Sequence, residues 1–189
     1  MDPDIVKFWH ALRSPDINVV KGSVISLPNG VFWGGYYFNG SKLFVRNCYK
    51  DLSSLVALDV PSVTQRGTIV TGTPGIGKSF FGYYLLYLAA KDNIPVIYHP
   101  TNDFVYLFDG NSVQTSPHAR DFLNIVTEKP IVLYLVDEQT PMHSGQQNVR
   151  TVLVCSPCHE YYKDFKKRDT AFLYMPVWTI EGWMMHINL

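Results

Sequence analysis

Residues Gly72-Thr73-Pro74-Gly75-Ile76-Gly77-Lys78-Ser79 match the pattern G-x-x-x-x-G-K-[ST]. Each residue type has a job in holding a nucleoside triphosphate. Glycines let several backbone N–H groups converge on phosphate oxygens, and the positive end of the helix that follows adds its dipole. Lys78 supplies a point charge for the β and γ phosphates, and the Ser79 hydroxyl can ligate Mg²⁺. Pro74 has no N–H and must turn away from the phosphates. The expected nucleotide-contacting set is Gly72, Thr73, Pro74, Gly75, Ile76, Gly77, Lys78, Ser79 and the following Phe80, with ATP or GTP and Mg²⁺ as the cofactors.

Such a site needs a carboxylate at the end of a neighbouring strand to hold the metal's water shell. The run Ile131-Val-Leu-Tyr-Leu-Val-Asp137-Glu138 supplies it. Asp137 is expected on the metal side, with Ser79 as the other metal ligand, and follows Lys78 by 59 residues, room for two strand–helix units of roughly 30 residues each. Glu138 is expected to polarise the attacking water, which a phosphoanhydride hydrolase needs beyond binding. The next apolar run ends at Ser156, placed at the same sheet edge, where its hydroxyl could meet the γ-phosphate or the water. Lys78, Glu138 and Ser156 form the expected catalytic set. Arg150 stands just before that run, within conceivable reach of a phosphate.

These residues need a scaffold that brings strand ends together. Beyond Pro61, short continuously apolar runs at 68–70, 95–99, 131–136 and 151–155 alternate with helical stretches at 78–91 and 117–126, the grammar of a mainly parallel sheet covered by helices. Residues 103–115, with Asp109-Gly110 at the centre, read as an inserted hairpin, and 139–148 as an exposed loop. Ahead of Pro61, Asp2-Pro3 opens a short helix whose Ile5, Phe8, Trp9 and Leu12 recur at helical spacing. Residues 19–27, 31–38 and 42–49, separated by Asn29-Gly30 and Asn39-Gly40, predict an antiparallel β-meander. The expected division is an extension over 1–65 and an α/β domain over 66–189.

Composition narrows the function classes. Of 189 residues, 47% are hydrophobic and 17% charged, below the average of about 25%, so a packed core is expected instead of a disordered chain. Sixteen basic against sixteen acidic residues leave no long-range attraction for nucleic acid or anionic membrane. The one basic run, Lys163, Lys166, Lys167 and Arg168 on an expected helix HEYYKDFKKR, is diluted by Glu160, Asp164 and Asp169 and reads as a solvated face with at most weak nucleic-acid contact. The acidic start MDPDIVKFWH lacks the basic region of a secretory signal, and no apolar stretch approaches the roughly 20 residues that span a bilayer. A soluble chain in a reducing compartment is expected, with the Asn39-Gly40-Ser41 sequon idle. Cys155-Ser-Pro-Cys158-His159 fits a haem-attachment pattern and resembles a redox dithiol, but its first cysteine completes an apolar strand, so two thiols packed in or half in the core are expected. A zinc site would need further ligands that Cys48 and the other histidines do not offer in paired spacing.

The chain closes on an expected strand, turn and helix over 174–189, the helix capped by Thr179 and carrying Trp183 and Met184, without the helical lid that follows in many nucleotide hydrolases. FWHALR, FVRNCY, GTPGIGKSFFGYYLLYLA, LYLVDE, VLVCSP and YMPVWTIE, in this order, resemble the NTPase region of the Crinkler effector family of oomycetes and fungi, itself similar to the retrotransposon hot spot proteins of trypanosomes. The resemblance implies an ATPase-like P-loop NTPase of the additional-strand type, followed in the family by an effector domain. It implies delivery into a host cell, and frequently its nucleus, with a host protein or that further domain as partner. It places Gly72 to Ser79, Asp137, Glu138 and Ser156 in phosphate, magnesium, water-activating and sensing roles. Gly182 departs from the family, whose members usually carry a second acid there.

Overall fold

A computed structural model describes residues 2–15, 17, 19–20, 24–56, 67–101, 104–142, 147–167 and 170–178. Its centre is a seven-stranded sheet of β4 (Gly67–Thr71), β5 (Val96–His99), β6 (Val105–Asp109), β7 (Ser112–Ser116), β8 (Val132–Asp137), β9 (Val149–Val154) and β10 (Thr170–Tyr174), in the order β10-β4-β9-β8-β5-β6-β7. The five strands from β10 to β5 run parallel, and β6 and β7 add an antiparallel hairpin at one edge. The chain is therefore mixed α/β with a mostly parallel sheet. All residues of β4, β8 and β9 are buried, as strands covered on both faces must be.

The helix α3 (Lys78–Lys91) packs on one face with Leu133, Leu135, Val152 and Val154. On the other, α4 (Ala119–Ile125) lies over Ile97, Tyr134, Val136 and Leu153. α3 is buried along most of its length because a second layer covers it. That layer includes α1 (Pro3–Arg13), capped by Asp2, whose carboxylate accepts the Asp4 N–H at 2.9 Å. Phe8 meets Tyr83 of α3 at 6.1 Å between ring centroids, and the Trp9 ring stacks on Phe108 at 4.6 Å while its indole N–H donates to the Gly110 carbonyl at 2.9 Å. One apolar cluster thus runs from Ile5 through Phe81 to Met175, joining the first 56 residues to the sheet. No described helix is long and apolar enough to cross a membrane.

The expected meander is corrected. Among the described residues, β1 (Val19–Val20), β2 (Val24–Ser26) and β3 (Lys42–Phe44) form a small antiparallel sheet. Residues 31–38 are not a strand: Gly34 and Gly35 take positive φ, and two short 3-10 turns, Trp33–Gly35 and Tyr37–Asn39, replace it. Glycine is required at 35, where a Cβ would lie 2.9 Å from the Ile5 backbone nitrogen. The bend sends Trp33 into the core against Phe8. The sequon residue Asn39 is engaged, its amide donating to the Trp33 carbonyl at 2.8 Å and the Tyr83 hydroxyl at 3.0 Å. The third expected strand ends at Phe44, and α2 (Asn47–Val56) begins where a strand was expected, burying Tyr49, Leu52 and Val56 at helical spacing.

Two further expectations change. The stretch HEYYKDFKKR is a one-turn α5 (His159–Tyr162) and a separate 3-10 turn (Phe165–Lys167), with Lys163 paired to Glu160 and Lys167 to Asp164 at 2.6 and 2.8 Å. The last strand lies earlier than expected, ending at Tyr174 where the expected one begins. Arg168, Asp169, Thr179, Gly182, Trp183 and Met184, with the terminal helix expected there, lie outside the described residues, as do 57–66 between the two expected parts.

Candidate functional site

The turn 72–77 leaves the C-terminal end of β4 and enters α3 at Lys78. Its geometry demands glycine at both ends. Gly72 has φ +152, and a Cβ there would lie 2.6 Å from the Ile76 side chain and 3.0 Å from the Met175 carbonyl; Gly77 has φ +94, and a Cβ would lie 2.5 Å from the Tyr49 hydroxyl. Lys78 is buried, its ammonium donating to the Gly72 and Thr73 carbonyls at 3.1 and 3.0 Å, so its charge sits inside the curl of the turn.

Two residues of the N-terminal layer fix the outer side of this turn. Arg46 donates to the Ile76 carbonyl at 2.6 Å, and the Tyr49 hydroxyl donates to the Gly77 carbonyl, also at 2.6 Å. In a planar trans peptide the C=O and the next N–H point in opposite directions. Holding the Ile76 carbonyl toward Arg46, and the Gly77 carbonyl toward Tyr49 and the Phe81 N–H that donates to it at 2.9 Å, therefore turns the Gly77 and Lys78 N–H groups the opposite way, where an anion would need them. Sequence alone does not single out Arg46 or Tyr49. The readable signal was the helical recurrence of Tyr49, Leu52 and Val56, which places this segment on a helix facing the core.

The acids sit at the end of β8. Strand β9 lies between β4 and β8, so Asp137 is on the next strand but one from the glycine turn, not the adjacent one. By strand alternation it shares the α3 face with Leu133 and Leu135. The Ser79 hydroxyl donates to Asp137 Oδ1 at 3.2 Å, joining two residues 58 positions apart. Burial pushes the Asp137 carboxyl up to about 6, with the Glu138 charge adding to the rise and the Ser79 hydrogen bond and Lys78 opposing it. Both oxygens are hard ligands, suited to Mg²⁺, which takes one or two carboxylates and completes its shell with phosphate and water. Among the described residues no group of three or more His, Cys, Asp or Glu is placed to hold a metal ion.

The raised Asp137 value has a consequence for stability. A group whose folded pKa of about 6 exceeds its ordinary 3.8 contributes stability that is whole below pH 4 and lost as pH rises through 6. A rise of that size corresponds to about 2–3 kcal/mol. Without nucleotide or Mg²⁺, Asp137→Asn should melt several degrees above the parent at pH 8, the gain vanishing near pH 4. Equal melting temperatures at both pH values in differential scanning calorimetry would contradict it.

Glu138 takes a positive φ of 49, rare outside glycine and asparagine and a conformation that surrounding structure must hold. Its N–H donates to the Val154 carbonyl at 2.9 Å. Its Oε1 accepts the Ser156 hydroxyl at 2.6 Å and the Ser156 N–H at 3.3 Å. Thus Lys78, Ser79, Asp137, Glu138 and Ser156 come from three strand ends of one sheet edge. Arg150 does not join them. It lies within β9, four residues before its end, about 13 Å away at ~3.3 Å per residue. Cys155 is buried and Cys158 exposed, correcting the expectation that both are packed, and burial pushes the Cys155 thiol up to about 11, far from a reactive thiolate.

Fold and site together define a mixed α/β protein with a glycine-rich, lysine-bearing turn and an acid pair gathered at one edge of a mostly parallel sheet. The chain is similar to Crinkler effector proteins 15 and 16 of Phytophthora infestans, each 31% identical over 146 residues, covering 74% of this chain and 23% of the relative. It thus spans 23% of the length of these curated relatives. No family model matches it. Saccharomyces cerevisiae RIF2 aligns at a TM-score of 0.42 with 14% identity over 76% of this chain and 61% of that one. C. elegans PCH-2 aligns at 0.39 with 16% identity over 71% and 44%. Neither likeness is close enough to carry a functional argument.

Proposed function

We propose that this chain is a P-loop NTPase module of the Crinkler effector family that binds a nucleoside triphosphate, ATP or GTP, with Mg²⁺ and hydrolyses it. The observation that carries the reading is the Ser79–Asp137 hydrogen bond, which brings a hydroxyl from the glycine turn and a carboxylate from β8 to one point beside a buried lysine. The similarity to Crinkler effector proteins supports the family assignment. Delivery into a host cell, and a host protein or a further effector domain as partner, belong to the same proposal.

The turn's inward N–H groups and the N-terminal end of α3 receive the phosphates, and Lys78 exchanges the Gly72 and Thr73 carbonyls for phosphate oxygens. Bound Mg²⁺ would neutralise charge on the β and γ oxygens. Ser79 and Asp137 would hold its shell. Glu138 takes a proton from the attacking water while Ser156 keeps the carboxylate oriented.

A second reading has its own support. Ser156 engages one Glu138 oxygen with both its hydroxyl and its N–H, so that oxygen is already occupied, which favours a module that holds nucleotide without turning it over. Phosphate release from ATP and GTP, with and without Mg²⁺, separates the two: Mg²⁺-dependent turnover is the expected result. Binding without turnover leaves only the second reading, and no retention of either nucleotide defeats both.

A further inference from the structure

Arg46 does more than hold the glycine turn. Its guanidinium is buried, and among the described residues its hydrogen bonds go to backbone carbonyls: Ile76 in the turn at 2.6 Å, Pro176 at 2.8 Å and Val177 at 3.1 Å. It also lies 4.2 Å from the centroid of the Trp178 ring, which stacks against Phe44 at 6.0 Å. One planar fork thus joins the turn to the segment leaving β10. That segment touches the turn a second time at its start, where the Met175 N–H extends the strand pairing to the Thr71 carbonyl at 2.8 Å and the Met175 carbonyl crowds Gly72. Pro176 and Val177 are exposed.

We propose that Arg46 is a positioning residue that couples occupancy of the 72–79 turn to the conformation of residues 176–178. The inference rests on the nucleotide reading above. A phosphate accepting from the Gly77 N–H pulls on the same peptide whose carbonyl, that of Ile76, Arg46 holds. The guanidinium is rigid and planar, so a shift at its Ile76 end moves its Pro176 and Val177 end and the indole packed on its face. Lysine keeps the charge but, as a compact ammonium, cannot span both groups.

Trp178 is the reporter. With ATP and Mg²⁺ added to the chain, tryptophan emission should shift in the parent and lose that shift in Trp178→Phe, which assigns the signal. Arg46→Lys should bind ATP about tenfold more weakly, within the usual range of coupling between sites, and at saturation show no shift. Coupling is reciprocal, so Trp178→Ala should weaken ATP binding by at least about fivefold; this second arm stands if Arg46→Lys does not fold. Equilibrium dialysis, run in parallel, tells the two ideas apart. ATP retained by the parent with no Trp178-dependent shift overturns the coupling and leaves the nucleotide reading standing. A full shift in saturated Arg46→Lys, or unchanged affinity in Trp178→Ala, overturns it as well. No ATP retained by the parent removes the nucleotide reading and this inference with it.

Discussion

Lys78→Ala should leave the chain folded and reduce its affinity for ATP by at least about a hundredfold. The ammonium makes two hydrogen bonds, to Gly72 and Thr73, and in the proposed complex it would exchange neutral carbonyls for phosphate oxygens. Charged hydrogen bonds contribute about 1.5–3 kcal/mol each, and two of them lost together correspond to a factor of 10² or more. Truncation also leaves the two carbonyls without their donor, but Gly72 is half-buried and Thr73 exposed, so water can replace it. Stability should therefore change less than affinity. Isothermal titration of the variant beside the parent, with thermal melts of both, checks this. Parental affinity in a folded Lys78→Ala chain would remove the phosphate-binding role of the turn.

Glu138→Gln should show the opposite division, with binding kept and turnover lost by about 10²–10⁴-fold, the range for removing a general base. The glutamine oxygen can still accept from the Ser156 hydroxyl and N–H, so the positive-φ turn at 138 keeps its restraints. Only the ability to take a proton disappears. Single-turnover phosphate release at saturating ATP is the discriminating measurement. A Glu138→Gln rate equal to a measurable parental rate would exclude Glu138 as the base.

The α/β part was legible in the sequence because its signals are local. Apolar runs long enough for buried strands, a glycine motif between a strand and a helix, and Asp109-Gly110 at a hairpin turn each declare themselves within ten residues. The N-terminal layer was less legible because non-local contacts decide it. The stretch 31–38 has strand-forming residues, yet packing of Gly35 on Ile5 and of Trp33 on Phe8 selects a bent path that local propensity does not favour. The α2 helix carried a readable period hidden by the apolar run before it. Within the site, the motif residues lie at one sheet edge, but the side chains that aim the turn, Arg46 and Tyr49, come from the part of the chain where the reading failed. Nothing in their spacing shows that their partners are carbonyls 30 and 28 residues away.

The place of β9 between β4 and β8 carries a consequence for how the chain comes to exist. Ser79 and Asp137 are both synthesised before residue 149, yet the strand that sets the distance between their sheet positions comes after both. A growing chain cannot hold those two side chains across a common sheet until β9 has entered between its neighbours, a pairing of high contact order and correspondingly slow to form. The Ser79–Asp137 hydrogen bond is thus among the last contacts to be assembled.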